Sequence, residues 1–199
     1  MAFIFNNCIE KGIYPDILKI ARVIPILKSG NRLDVSNYRP ISTLPTVNKI
    51  FEKIIYSRMI DFIEVNEFLS PKQYGFRRNS STTLAIFDLI SNVVHSLSSR
   101  NYCICIFLDL KKAFDSINHE ILMNKLYRMG FRGSIYNLIY SYLSGRTQYI
   151  DINGNTSEYR KVICGVPQGS VLGPLLFNLF VNDITCLTSD NNRGGGGNK

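Results

Sequence analysis

The chain has 199 residues, 45% of them hydrophobic, and carries 23 Lys and Arg against 15 Asp and Glu, a formal net charge of +8. That apolar content can bury a core in one large domain or two small ones, and it excludes a disordered chain. The basic balance favours a polyanionic partner, nucleic acid or an anionic surface, without deciding between them, and 11 Tyr and 12 Phe offer stacking surface as readily as core.

Residues 7–20 carry Ile9, Ile13, Ile17 and Ile20 at helical intervals, but Pro15 interrupts them and Gly12 ends the first half, which predicts a connector. Residues 22–28 read as an edge strand, because Pro25 lacks the N–H that a central strand donates. Turn chemistry at 29–32 returns the chain through an extended 37–42, giving a mobile hairpin that presents Lys28, Arg32 and Arg39. Such surface cations can also be merely solvated. From Thr46 as N-cap, a long helix places Val47, Ile50, Phe51, Ile54, Ile55, Met59, Phe62 and Ile63 on one face and Lys49, Glu52, Lys53, Arg58 and Asp61 on the other. The loop 70–78 is polar and basic. Gly75 in it could admit a phosphate backbone closely while Arg77 and Arg78 neutralise charge, or the loop could be an ordinary interhelical connection. Thr82 or Thr83 opens a second helix with Ile86, Ile90, Val93, Val94 and Leu97 inward and His95 on its surface.

Residues 102–109 alternate, with Tyr102, Ile104, Ile106 and Leu108 on one face and Cys103, Cys105, Phe107 and Asp109 on the other, which predicts a strand buried on both sides. Asp109 ends it. A charge there is costly without compensation, which a divalent metal or the backbone N–H groups of the next turn could supply. Asp115 or Ser116 is expected to cap a helix through Met129 stopped by Gly130, with His119 and Glu120 as surface residues of its first turn. A further helix spans 135–143. Asn153-Gly154 then predicts a type I′ hairpin between 148–152 and 157–162. In 165–174 three glycines and two prolines fix an unusual backbone path that exposes N–H groups and Gln168, and Pro174 suits the first turn of a helix running to about 184.

The five cysteines, Cys8, Cys103, Cys105, Cys164 and Cys186, form no Cys-x-x-Cys pair and lie near no His at ligand spacing, so a reduced, intracellular protein is expected. The longest apolar run, 171–184, is interrupted by Pro174, Asn178 and Asn182 and is too short and polar for a membrane span, and residues 1–5 lack the features of a secretory signal.

The ordered set Val23-Ile24-Pro25-Ile26-Leu27-Lys28, Asn37-Tyr38-Arg39-Pro40-Ile41-Ser42, Gln73-Tyr74-Gly75-Phe76-Arg77, Phe107-Leu108-Asp109 to Ala113-Phe114-Asp115, and Gly165-Val166-Pro167-Gln168-Gly169-Ser170 to Pro174 resembles the reverse transcriptase domain of non-LTR retrotransposons, the jockey-like branch in particular. The resemblance covers roughly residues 3–187. It implies an α+β right-hand polymerase: a connector at 1–20, a fingers-like region at 21–100, and a partial palm at 101–187 made of an antiparallel sheet backed by helices. A thumb is absent, and 188–199 form a flexible or artefactual tail. Such enzymes copy RNA into DNA with two Mg2+ ions, Mn2+ being possible, on an RNA template, a DNA primer and dNTPs, with no membrane, and the family implies a nuclear setting.

At the matching positions Asp109 resembles the first catalytic carboxylate and metal ligand, with the Leu110 carbonyl as a further ligand. Phe114 resembles the steric gate under the sugar. Gln168 and Gly169 resemble the lining of the nucleotide and template base, Lys28 and Arg39 the cations on its triphosphate, and Gly75, Arg77 and Arg78 a template contact. The family's Tyr-x-Asp-Asp hairpin is not found in these 199 residues, and neither Asp183 nor Asp190 replaces it. Losing several kcal/mol of transition-state stabilisation, at about 1.4 kcal/mol per decade, implies a loss of at least roughly a thousandfold. The isolated chain is therefore expected to be inactive or nearly so. A non-catalytic nucleic-acid-binding remnant is the alternative.

Overall fold

The structure, a computed structural model, describes residues 1–184; the expected tail at 188–199, with Asp190, and Cys186 lie outside the described residues. The fold is mixed α+β. Helix α1 (Ala2–Lys11) ends at Gly12, whose left-handed φ of 66° lets its N–H reach back to the last turn. A single 3-10 turn leads into β1 (Ile20–Leu27), which forms a hairpin with β2 (Tyr38–Thr43). Helices α2 (Thr46–Val65) and α3 (Thr82–Ser98) follow, then α4 (His119–Arg128) and α5 (Gly133–Leu143). Strands β3 (Thr147–Ile152), β4 (Asn155–Thr156) and β5 (Arg160–Lys161) precede α6 (Leu172–Val181).

The strand order is β2-β1-β3-β4, with β5 also on β3. The sheet as a whole is mixed: β1 runs antiparallel to β2 and parallel to β3, while the strands described within 101–187 pair antiparallel, β3 with β4 and with β5. The edge-strand expectation for β1 is correct only in part. Val23 is paired on both sides, whereas from Ile24 onward β2 is the only neighbour among the described residues, and Pro25 stands opposite Pro40 there. The missing N–H is thus confined to the half of the strand with an open side. The Asn153-Gly154 turn has positive φ at both residues, 52° and 85°, as a type I′ turn requires.

The main core is helical. Phe51, Ile55, Met59 and Ile63 of α2 meet Leu122 and Leu126 of α4, Leu138 and Ile139 of α5, and Leu172, Leu175, Leu176 and Leu179 of α6. At about 1.5–3 kcal/mol for each fully buried large side chain, the four leucines make α6 a firmly anchored element. The N-terminal segment belongs to this core and is no mere connector. Phe5 stacks on Phe51 at 4.6 Å and Tyr14 on the same ring at 5.2 Å, while Ile13 and Ile17 stay exposed.

Two expectations fail together. Residues 101–110 belong to no strand, and Ile104, Ile106, Phe107 and Leu108 are each about four-fifths exposed or more (87%, 79%, 81% and 85%). Helix α3 forms, capped by the Ser81 hydroxyl, yet it has no buried residue, and Ile86, Ile90, Val94 and Leu97 face solvent. The physical cause is shared. A strand needs a hydrogen-bonding neighbour and an amphipathic helix needs a counter-surface, and among the described residues neither segment has one.

Candidate functional site

The site is organised by the loop after β5. Gly165 donates its N–H to the Ile117 carbonyl at 2.7 Å, and Val166 donates to the Phe114 carbonyl at 2.8 Å. A Cβ on Gly165 would lie 2.7 Å from the Asp115 Cα, so only glycine permits this approach. Further on, Ser42 of β2 donates its N–H to the Gln168 carbonyl at 2.9 Å. Gly169 follows at φ +107°, where a Cβ would stand 2.8 Å from the Ser42 oxygen. The Gln168 amide Nε2 lies 3.3 Å from each oxygen of Asp115. Asp115 therefore does not cap α4. Asn118 does, accepting from the Ile121 N–H at 3.0 Å, and Asp115 instead faces the glutamine. His119, expected on the surface, is half-buried with Nε2 2.7 Å from the Gly165 carbonyl.

Phe114 is half-buried between two rings, Phe177 of α6 at 5.1 Å and Phe76 at 5.8 Å. Phe76 belongs to the 70–78 loop, which α6 holds in place through the asparagines that break its apolar run. Asn178 is fully buried and donates to the Gly75 carbonyl at 2.9 Å, and Asn182 accepts from the Ser70 N–H at 2.9 Å while donating to the Phe68 carbonyl at 2.7 Å. Arg77, expected to meet a template, donates to the Ser70 carbonyl at 2.9 Å and so stitches its own loop; Arg78 is exposed.

A cavity of about 360 Å³ lies beside the loop, lined by Lys112, Asp115, Arg146, Gln148, Lys161 and Gln168 among others. Pro40 and Ser42 line it from β2, and Ala21 and Val23 from β1. Strand alternation puts Arg39, and Lys28 just past the end of β1, on the opposite face of the hairpin, where both are exposed. The structure thus joins Phe114, Gln168 and Gly169, adds the Gly75 loop through Phe76, and does not bring Lys28 or Arg39 into contact with them.

Asp109 and Leu110 lie exposed in the unpaired 101–110 segment, just before the left-handed Lys112 (φ 55°) and the 3-10 turn Ala113–Ser116. Asp109 makes no hydrogen bond or ion pair with another described residue. No three His, Cys, Asp or Glu side chains gather as a metal site among the described residues.

One residue of consequence escaped the sequence reading. Glu52, placed there on the polar face of α2, is fully buried. Its Oε2 accepts from the Val171 N–H at 2.6 Å and the Leu172 N–H at 3.0 Å, and Oε1 from Asn48 Nδ2 at 2.6 Å. Asn48 in turn accepts from the Tyr14 hydroxyl at 2.5 Å. Burial pushes the Glu52 carboxyl above its ordinary range, and the N–H donors together with the Arg146 charge pull against that shift. The available signal was spacing: Asn48 and Glu52 continue the Ile55, Met59 and Ile63 stripe at helical intervals.

The chain is of the polymerase class, since residues 26–194 match the family of reverse transcriptases (RNA-dependent DNA polymerases). It is 34% identical over 92% of its length to the RNA-directed DNA polymerase from mobile element jockey of Drosophila melanogaster. It is 33% identical over 94% to the probable RNA-directed DNA polymerase from transposon BS, and 32% identical over 92% to that from transposon X-element, both of the same organism. The chain belongs to the reverse transcriptase family, and its resemblance is to jockey-like non-LTR retrotransposons. It spans about a fifth (20%) of the length of each of these relatives. A solved chain of a partial Cas6-RT-Cas1–Cas2 complex aligns with a TM-score of 0.44 at 19% identity, over 92% of this chain and 29% of that one, a likeness too distant to bear on the site. Divalent ions are general for the family, but one exposed carboxylate at Asp109 does not by itself make a site for them.

Proposed function

We propose that this chain is the nucleotide-facing part of an RNA-directed DNA polymerase, with the β1–β2 hairpin in the fingers and the Asp109 to α6 stretch in the palm. The observation that carries the reading is convergence. Backbone 42, the Phe114 carbonyl, the backbone and carboxylate of Asp115, and loop 165–169 are hydrogen-bonded or closely apposed although they come from distant parts of the sequence. Phe76 extends the cluster to the 70–78 loop. Gln168 offers a planar polar amide beside a backbone bared by Gly169, which suits a nucleotide and its template base. Phe114, fixed by two rings, has the rigidity that a sugar-discriminating wall needs.

Lys28 and Arg39 are exposed cations on a hairpin and are proposed to meet the triphosphate as the hairpin closes, a motion that would re-aim their face. Gly75 and Arg78 are proposed to meet the template strand, with the net charge of +8 as long-range support. Asp109 is the carboxylate this stretch offers to the divalent-ion chemistry of the family, and no step is assigned to it alone. RNA template, DNA primer and dNTPs are the partners that follow, and a nuclear setting is proposed from the same family.

The test is primer extension on a DNA-primed RNA template with dNTPs and Mg2+ or Mn2+. The 199-residue polypeptide is expected to bind the primed template and to extend it negligibly, and Asp109→Asn to abolish extension in a polymerase that carries these residues in its full frame. Template binding lost on loss of Arg78, with extension absent everywhere, favours the non-catalytic nucleic-acid-binding reading. Robust extension by a full-frame Asp109→Asn enzyme refutes the assignment of that carboxylate.

A further inference from the structure

We propose that Glu52 is the positioning residue of the Gln168–Gly169 loop, a buried carboxylate on α2 that holds the N-terminus of α6 and so fixes where the glutamine stands. The use made of the loop rests on the polymerase reading above; the geometry of the hold does not.

The first N–H groups of a helix have no partner within it and must find one elsewhere. On α6 the accounting closes. Val171 and Leu172 donate to Glu52, Gly173 donates to the Ser170 hydroxyl at 3.0 Å, and Pro174 has no N–H to satisfy. The partner for two of the three donors is thus a side chain about 120 residues away in sequence. Its own surroundings are built to supply hydrogen bonds: Tyr14 donates to Asn48 and Asn48 donates to Glu52, so every proton along the chain points toward the carboxylate. The charged group that shares this core is Arg146, 1% exposed, whose guanidinium lies over the Tyr142 ring at 4.9 Å. Arg146 attracts the carboxylate electrostatically, and the buried phenols of Tyr14 and Tyr142 complete the titratable groups facing it.

The hold acts on Gln168 because the tether is short. Ser42 fixes the Gln168 carbonyl, Glu52 fixes the N–H groups of 171 and 172, and only Gly169 and Ser170 lie between. Ser42 and Glu52 both belong to the continuous β2–α2 segment, so one rigid piece of chain grips the loop twice. Remove the second grip and the loop is tied to that piece at a single point, so the stretch between Gln168 and the first turn of α6 loses one of its two fixed ends.

The test is amide exchange and amide chemical shifts on the 199-residue chain. Glu52→Leu keeps the volume and removes the acceptor; it is expected to speed exchange at 168–172 by at least about tenfold relative to the amides of α4 and α5. Glu52→Gln can keep an oxygen on Val171 and Leu172 if the Asn48 amide and the Tyr14 hydroxyl reverse, so it is expected to restore most of the protection while the 171 and 172 amide protons move upfield with the loss of charge. Unchanged exchange at 168–172 in Glu52→Leu overturns the proposal. If Glu52→Leu does not fold, Glu52→Gln decides: 171 and 172 amide frequencies identical to the parent overturn it, and a local upfield shift supports it.

A dNTP and Mg2+ titration of the same samples separates the hold by Glu52 from the nucleotide assignment beneath it. A parent chain with no response at Gln168 or Gly169 refutes the nucleotide assignment and leaves the hold to be decided by amide exchange alone. A parent response that weakens at least fivefold in Glu52→Leu supports the positioning role, and equal affinities overturn it.

Discussion

Replacing Gly169 by alanine tests how tightly β2 and the glutamine loop are joined. The residue sits at φ +107°, a region that costs an L-amino acid about 1–2 kcal/mol. The new methyl would also stand 2.8 Å from the Ser42 carbonyl oxygen, closer than carbon and oxygen tolerate, so strand or loop must move. The bond that stretches with it is the Ser42 N–H to Gln168 carbonyl contact at 2.9 Å, worth about 0.5–1.5 kcal/mol. The sum is about 1.5–3.5 kcal/mol. Gly154 supplies the control, since it has φ +85° and nothing within 4 Å of its Cβ position; alanine there costs about 1–2 kcal/mol for conformation alone. Urea unfolding of the two variants beside the parent, compared at constant m, isolates the crowding as the difference between them, expected to be about 0.5–1.5 kcal/mol. Equal midpoints for the two alanine variants would refute the reasoning, because then no close approach of Ser42 to the loop has to be relieved.

Phe114→Val, in a polymerase carrying these residues in full, is expected to relax discrimination against ribonucleotides by at least about tenfold, or about 1.4 kcal/mol of differential transition-state binding, as read from the ratio of kcat/KM for dNTP and NTP; an unchanged ratio removes the gate assignment. Asp109→Asn is expected to leave thermal stability within about 0.5 kcal/mol, since the side chain is exposed and unpaired among the described residues, while reducing extension by at least roughly a thousandfold. Ile106→Lys is also expected to be neutral in melting and to reduce self-association in light scattering, because the side chain is 79% exposed; a loss of more than about 2 kcal/mol would show that it is buried in solution. Lys125 on α4 holds the Asp183 carboxyl below its ordinary range through a 2.6 Å hydrogen bond. A lowered folded-state pKa means that this stabilisation is present above the ordinary carboxylate pKa of about 3.9 and is lost as pH falls through the lowered value. Asp183→Asn should therefore lower stability slightly at neutral pH, where this contribution is present, and match the parent at acid pH, so that the acid limb of the stability–pH curve flattens.

Local signals survived into the structure wherever the cause of an element is itself local. The helix boundaries at Gly12 and Gly130, the Asn153-Gly154 turn and the start of α6 near Pro174 all depend on backbone chemistry within a few residues. The strand expected at 102–109 and the inward face expected of α3 had correct patterns, but a pattern only states which side chains want cover. Whether cover arrives is decided by another segment, and alternation in Tyr102, Ile104 and Ile106 cannot report on a partner. The site divides in the same way. Phe114, Gln168 and Gly169 were legible because their motifs are short and contiguous, whereas the use of Asp115 as the partner of Gln168 follows from Gly165 allowing two backbones to approach, a contact across about fifty residues.

Glu52 is the instructive failure, because the rule that misplaced it also contains the remedy. Charged residues on a helix are assigned to its wet face on the ground that a buried charge is costly. On α2 that assumption overrode the geometry, for Asn48, Glu52, Ile55, Met59 and Ile63 recur every three or four residues and must share a face. A carboxylate and an amide standing in an otherwise apolar stripe are costly only if unpartnered, and here they are answered by Tyr14, Arg146 and the two N–H groups that open α6. Polar residues that interrupt a core stripe therefore mark the places where a helix is asked to hold something. In this chain the thing held is the loop that carries Gln168, and the interruption was visible before any fold was.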